Sequence, residues 1–196
     1  MSRRRPKRKL KPEQSRRSGR TPVIIFAGIV IVAVLVGWFV FSQPGKAPGS
    51  IGDVAPNFEL PEVTAEGLTD NMIELSSFRG RVVVLEFMVS WCHVCQQMAS
   101  SVAYLNDKYG GQDVVFLSVA GTQSGASAES TAEFIREHDA TWTHVLDTDN
   151  SVFPKYGVEA TPTYFIIDRS GKILSNFQGI VSTDAFSSAI DGALSS

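Results

Sequence analysis

Cysteine and histidine are scarce in this chain. Only two cysteines and three histidines occur among its 196 residues. A structural zinc site needs four ligands. His93, His138 and His144 could join Cys92 and Cys95, but no second ligand pair stands at a matching spacing. We therefore expect neither a bound metal nor another cofactor.

Charge is absent from residues 23–41, VIIFAGIVIVAVLVGWFVF. A helix of this length spans roughly 28 Å, close to the hydrocarbon thickness of a bilayer. Because the segment is apolar on every face, a helix buried in a protein core fits it poorly. A cleaved signal peptide remains the alternative, although the run exceeds the usual apolar region of such peptides and no good cleavage site follows it. We expect a transmembrane helix over residues 22–42.

Acidic residues are nearly absent before this segment. Residues 2–20 hold ten Lys or Arg and a single acid, Glu13, and such a run cannot fold by itself. Basic residues beside an apolar span remain in the cytoplasm. We therefore expect residues 1–21 to be a cytoplasmic tail and the remainder to be extracytoplasmic, with residues 43–51 as a Pro/Gly/Ser linker.

Residues 52–196 have the length of one domain. From Lys46 onward the chain has 8 basic and 19 acidic residues, so its formal net charge is −11. An acidic domain has no obvious attraction for nucleic acid or for an anionic lipid surface. We expect no nucleic-acid partner.

The hydrophobic pattern of this domain predicts the order β-α-β-α-β-β-α, with extra strand or loop material before it over residues 51–75. The apolar run 82–89 is typical of a buried parallel strand, and a helical pattern and a second such run, 114–119, follow it. A capping box of Ser130 and Glu133 predicts the next helix. Later elements are a possible short strand at Val145-Leu146, a short helix within 147–156, strands 163–168 and 172–177, and a helix from about residue 182. We expect an α/β fold with a central mixed sheet flanked by helices.

The two cysteines form a C-x-x-C motif where a strand gives way to a helix. The unpaired N–H groups and the dipole of a helix start favour a thiolate at Cys92. Cys95 lies one turn further along, where it can resolve a mixed disulfide between Cys92 and a substrate. A structural disulfide, a zinc site and two unpaired core thiols are the alternatives. A disulfide that closes so short a loop adds little stability, so the motif favours redox chemistry.

The sequence WCHVC after VVVLEFMVS resembles the thioredoxin superfamily, as does Ala160-Thr161-Pro162-Thr163 before the strand YFIID. GDVAPNFELP, IELSSFRGRVVVLEF and YGVEATPTYFIIDRSGKI resemble the membrane-tethered TlpA/ResA group of the redoxin, or AhpC/TSA-like, family. The resemblance implies a thioredoxin-like fold in which Pro162 is cis and the backbone of Thr161 pairs with an extended substrate. An ordinary trans proline that opens a strand is the alternative.

The same resemblance implies a membrane-anchored thiol–disulfide oxidoreductase. Its partners would be protein thiols and disulfides outside the cytoplasm, together with a membrane partner that donates or accepts electrons. Two other functions stay open, a redoxin-type thiol peroxidase and a thioredoxin-like copper carrier. The peroxidase pattern P-x-x-x-T-x-x-C is broken by Leu85 and Val89. Copper carriers of this type usually space their cysteines by three residues.

Three further residues are candidates for the site. Glu86 stands in the middle of an apolar strand, where the thioredoxin pattern has a buried acid, and we expect it to exchange protons with Cys95. A solvated glutamate on an edge strand is the alternative. His93 would stabilise the Cys92 thiolate as an imidazolium, or lie exposed with little effect. Trp91 would shape the surface around Cys92, or be a packed aromatic residue.

Overall fold

The computed structural model describes residues 31–34, 38, 49–111 and 113–196. The chain divides into two units, Met1–Gly45 and Lys46–Ser196. The predicted tail lies outside the described residues, as do most of the predicted transmembrane helix and of the linker. Residues 31–34 and 38 are helical. Within the described residues no helix is both long and apolar enough to cross a bilayer.

The second unit contains seven strands, four α-helices and two short 3₁₀ turns among its described residues. The strands are β1 Glu59–Thr64, β2 Gly67–Glu74, β3 Val82–Met88, β4 Val114–Gly121, β5 Thr143–Asp147, β6 Thr163–Ile167 and β7 Ile173–Gln178. The helices are α1 His93–Tyr109, α2 Ala128–Glu137, α3 Val152–Lys155 and α4 Thr183–Leu194. The 3₁₀ turns are Leu75–Phe78 and Gln123–Gly125.

All seven strands form one mixed sheet in the order β2-β1-β5-β4-β3-β6-β7. The strands β3, β4 and β5 are parallel neighbours, while β6 runs antiparallel to β3. This confirms the mixed sheet and the parallel pairing of the two apolar runs. The extra strand material expected over residues 51–75 is the hairpin β1–β2, whose pairing was not predicted. Its strand β1 extends the sheet by pairing with the end of β5.

Apolar residues cover both faces of the sheet, because every residue of β3 and of β4 is buried. Alternate residues of a strand point to opposite faces. One face packs under α1, α2 and α4, with Val84, Met88 and Phe186 in its core. The other face packs under α3 and the segment before β1, with Leu85 and Phe153 in its core.

The capping box predicted for the helix α2 is wrong by one turn. The N-cap is Ser127, whose hydroxyl accepts a hydrogen bond from the backbone N–H of Ser130. The Ser130 hydroxyl in turn accepts one from the backbone N–H of Ser127. A serine can serve as the third residue of a capping box because its hydroxyl also accepts, so the helix starts three residues earlier than Ser130 and Glu133 predict.

Candidate active site

The two cysteines lie where the central strand β3 gives way to α1. Cys92 is the N-cap of α1, and its Sγ accepts a hydrogen bond of 3.2 Å from the backbone N–H of Cys95. The two residues form a disulfide, and their Cα atoms are 5.2 Å apart. Cys92 is 7% exposed and Cys95 only 1%. Cys92 is therefore the more accessible of the two, as an attacking sulfur must be.

The helix start favours negative charge on Cys92. The first N–H groups of a helix have no partner within the helix, and its dipole is positive at this end. A thiolate at the N-cap accepts the Cys95 N–H as a charge-assisted hydrogen bond once the disulfide is reduced. The same geometry makes Cys92 a good leaving group when a partner thiol attacks the disulfide.

The peptide bond between Thr161 and Pro162 is cis, as the resemblance implies. It lies just before β6, which pairs directly with β3, and this pairing brings the loop against the dithiol. The Sγ of Cys92 is 3.5 Å from the carbonyl oxygen of Thr161. Pro162 is buried while Thr161 is half-buried, so Thr161 borders the more accessible sulfur.

Trp91 is 55% exposed, so the alternative of a packed aromatic residue is wrong. Its indole Nε1–H donates a hydrogen bond of 3.1 Å to the carbonyl oxygen of Gln123. This bond anchors the ring beside a hollow of about 270 Å³ that also borders Thr161. The influence of this ring on the surface around Cys92 stays a prediction.

His93 is the first residue of α1, and its side chain is exposed. It lies between the two cysteines in sequence. The geometry agrees with the alternative of an exposed residue, and the influence of His93 on the redox potential stays a prediction.

Glu86 lies on the central strand β3, which is paired on both sides, and is only 4% exposed. The alternative of a solvated glutamate on an edge strand is therefore wrong. Residues two apart on a strand share a face, so Glu86 is on the same face as Val84 and Met88. Those residues belong to the core cluster that contains Cys95. The carboxyl group thus belongs to the face that α1 covers.

The surroundings of Glu86 include residues that the sequence did not predict. The Ser118 hydroxyl donates a hydrogen bond of 2.5 Å to Oε2 of Glu86. The Trp142 indole Nε1–H donates one of 2.7 Å to the Ser118 Oγ. Burial raises the pKa of Glu86, and the hydrogen bond from Ser118 partly offsets that effect. The only sign of these partners in the sequence was a polar residue, Ser118, within the apolar run 114–119.

The described residues contain no group of three or more His, Cys, Asp or Glu side chains placed to hold a metal ion. His144 is buried on β5, with its Nδ1 hydrogen-bonded to the carbonyl oxygen of Trp142 at 2.8 Å. His138 is the C-cap of α2, and its ring lies against that of Phe134 at a tilt of 54°. Neither histidine joins the two cysteines in such a group.

A sequence profile of the AhpC/TSA family matches residues 51–175. The chain belongs to the AhpC/TSA family. One relative of this AhpC/TSA protein is the thiol-disulfide oxidoreductase ResA of Bacillus subtilis strain 168. The two sequences are 30% identical over 162 residues, and the match covers 80% of this chain and 85% of that protein. ResA of Bacillus cereus strain ATCC 10987 is 27% identical over 157 residues, or 80% of this chain and 84% of that protein.

Solved structures are also similar to this AhpC/TSA protein. A putative thiol:disulfide interchange protein DsbE from Chlorobium tepidum is 30% identical and aligns with a TM-score of 0.65, covering 74% of this chain and 98% of that one. DsbF of MTB is 25% identical with a TM-score of 0.60, covering 76% and 99%. The fold is therefore thioredoxin-like, and the chain is a TlpA/ResA-like redoxin with thiol–disulfide oxidoreductase activity.

Proposed function

We propose that this protein exchanges disulfides with other proteins outside the cytoplasm, through Cys92 and Cys95, while tethered to the membrane by residues 22–42. The observation that carries the proposal is the position of Cys92, a helix N-cap whose sulfur lies beside both Cys95 and the loop of the cis proline. At that position a stabilised thiolate on Cys92 lies next to the resolving thiol of Cys95.

Reduction of a substrate disulfide takes two displacement steps. The Cys92 thiolate attacks one sulfur of a substrate disulfide, which forms a mixed disulfide and releases the other substrate sulfur as a thiolate. Cys95 then gives its proton to the Glu86 carboxylate, and its thiolate attacks the Cys92 sulfur. The second substrate thiolate leaves, so the substrate gains two electrons and the dithiol becomes a disulfide. Oxidation of a substrate dithiol is the same sequence reversed.

Glu86 is suited to carry this proton. Cys95 is almost fully buried, so water has little access to its thiol. A carboxyl group whose pKa burial has raised binds and releases a proton closer to neutral pH than an exposed one does. Thr161 offers its backbone to an extended substrate segment, and Trp91 gives that segment an apolar surface.

A redox titration of the full-length protein in mild detergent, followed by thiol alkylation and mass measurement, tests the dithiol. We expect one two-electron couple in the wild type and no such couple in Cys92→Ser or Cys95→Ser. Exchange with a disulfide-bonded protein should disappear with Cys92→Ser. A Cys92→Ser variant that still catalyses exchange would overturn the proposal.

The tether and its direction need a separate experiment in intact cells. We expect the protein to remain in carbonate-washed membranes with the mass of the full-length chain. We also expect a membrane-impermeant maleimide to label reduced Cys92 in cells that have not been permeabilised. A Cys92→Ser variant shows how much of the label reacts at sites other than Cys92. A shorter, soluble product would support the cleaved signal peptide instead, and labelling only after permeabilisation would reverse the orientation.

A further inference from the structure

Polar side chains cross three neighbouring central strands on the face of the sheet that α1 covers. Glu86 on β3 is the register partner of Ser118 on β4, and Ser118 is the partner of His144 on β5. Trp142 precedes β5, and its ring lies against His144 with centroids 5.0 Å apart. All four side chains are buried. A row of polar groups in a core is costly unless each is held by hydrogen bonds.

The direction of the hydrogen bonds along this row is fixed while Glu86 is ionised, because a carboxylate can only accept. An indole N–H can only donate, so the Ser118 Oγ must accept the bond from Trp142. The single hydroxyl proton of Ser118 is then free to donate to Oε2 of Glu86. The Ser118 hydroxyl therefore stabilises the ionised form of Glu86 and holds Oε2 in place, and Trp142 fixes the orientation of that hydroxyl.

We infer that Ser118 and Trp142 are positioning residues for the Glu86 carboxyl group. They hold Oε2 within the sheet and favour the ionised form, which accepts the proton of Cys95. The inference rests on the role proposed above for Glu86. It adds two residues to the site that touch neither the dithiol nor a substrate.

Other groups that face Glu86 from the packed elements do not replace this arrangement. Tyr164 on β6 is the other register partner of Glu86. Its buried hydroxyl makes no hydrogen bond of normal geometry to the described residues, but it lies close enough to Glu86 to lower the pKa of that carboxyl group, by less than Ser118 does. Cys95 comes from α1, and His144 lies beyond Ser118 with its pKa lowered by burial to about 4, so it is neutral near pH 7. From α4, the uncharged Phe186 packs on Tyr164.

The test is the pH dependence of a single turnover. The reduced full-length protein is mixed with an excess of a disulfide-bonded peptide between pH 5 and 9. The reaction is quenched with acid, free thiols are alkylated, and the products are identified by mass spectrometry. Loss of the Ser118 hydroxyl in Ser118→Ala removes a charge-assisted hydrogen bond to the carboxylate. We expect the acid limb of the rate profile to move up by about one pH unit. Trp142→Phe keeps an aromatic ring but lacks the N–H, and should give a smaller shift in the same direction.

Two further variants separate this role from a structural one. Thr131→Val removes another buried hydroxyl, on α2, and should leave the profile unchanged. In a Glu86→Gln background, Ser118→Ala should cause no further shift. A wild-type profile for Ser118→Ala, or an equal shift with and without Glu86, would overturn the inference alone. A wild-type profile for Glu86→Gln would remove the proton role of Glu86 itself, while loss of exchange in Cys92→Ser would still support the dithiol.

Discussion

Replacement of Glu86 by glutamine should stabilise the folded protein as the pH rises. Burial raises the pKa of Glu86 in the folded state above its ordinary value of 4.5. Between these two pKa values the folded chain holds a proton that the unfolded chain has released. The free energy of unfolding therefore falls as the pH increases through this window, and Glu86→Gln has no proton to lose.

The size of the effect follows from the linkage relation. One proton bound only by the folded state lowers the free energy of unfolding by up to about 1.4 kcal/mol per pH unit. Other titrating groups are common to both proteins, so they cancel in the difference. In the Glu86→Gln variant the side-chain carbonyl can still accept the hydrogen bond from Ser118, which keeps the packing of the wild type.

Urea denaturation of the full-length protein, followed by circular dichroism at intervals from pH 4 to pH 9, measures the difference. Both proteins must be in the oxidised state, so that the disulfide is common to both. We expect equal stability near pH 4 and a growing advantage for Glu86→Gln above pH 5, until the folded-state pKa is passed. Parallel curves throughout this range would show that Glu86 is not a buried group with a raised pKa.

Three other substitutions test the surroundings of the site. His144 has its pKa lowered to about 4, so stability should fall as the pH drops below its ordinary pKa of 6.5, and His144→Gln should remove roughly 3 kcal/mol of that loss in urea titrations at pH 4. Asp147 accepts hydrogen bonds from the backbone N–H groups of Ser151, Val152 and Phe153, so Asp147→Ala should cost roughly 2 kcal/mol of unfolding free energy at pH 7. The fully buried Phe186 packs on Tyr164 and Phe177, and Phe186→Ala should cost about 3–5 kcal/mol, whereas the exposed Ile180→Ala should change thermal unfolding little.

The sequence predicted the parts of the site that depend on local pattern. The apolar run of β3 predicts a buried central strand, and the C-x-x-C motif after it predicts a dithiol at a helix start. A charged residue in such a run stands out, which is why Glu86 could be identified. The position of Pro162 came from its neighbours in a motif, because sequence alone does not reveal the isomer of a proline bond.

The parts that were missed depend on the register of strands that are distant in sequence. Ser118 and Tyr164 become neighbours of Glu86 only because β4 and β6 flank β3 at one alignment. Trp142 reaches Ser118 from before a strand of five residues, too short for its pattern to fix a register. Residues 51–75 were expected to hold strand or loop, but the hairpin β1–β2 itself was not identified, because most residues of β2 are exposed and no apolar face marks that strand.

In the proposed mechanism Cys92 attacks the substrate disulfide and Cys95 resolves the mixed disulfide, and trapping of that intermediate distinguishes the two roles. The full-length Cys95→Ser protein is incubated with a disulfide-bonded peptide, and the adduct is located by peptide mapping and mass measurement. We expect a stable adduct on Cys92 in the Cys95→Ser protein and little or none in Cys92→Ser, because Cys95 is almost fully buried. A faster or equal adduct on Cys95 in the Cys92→Ser protein would contradict this assignment of roles.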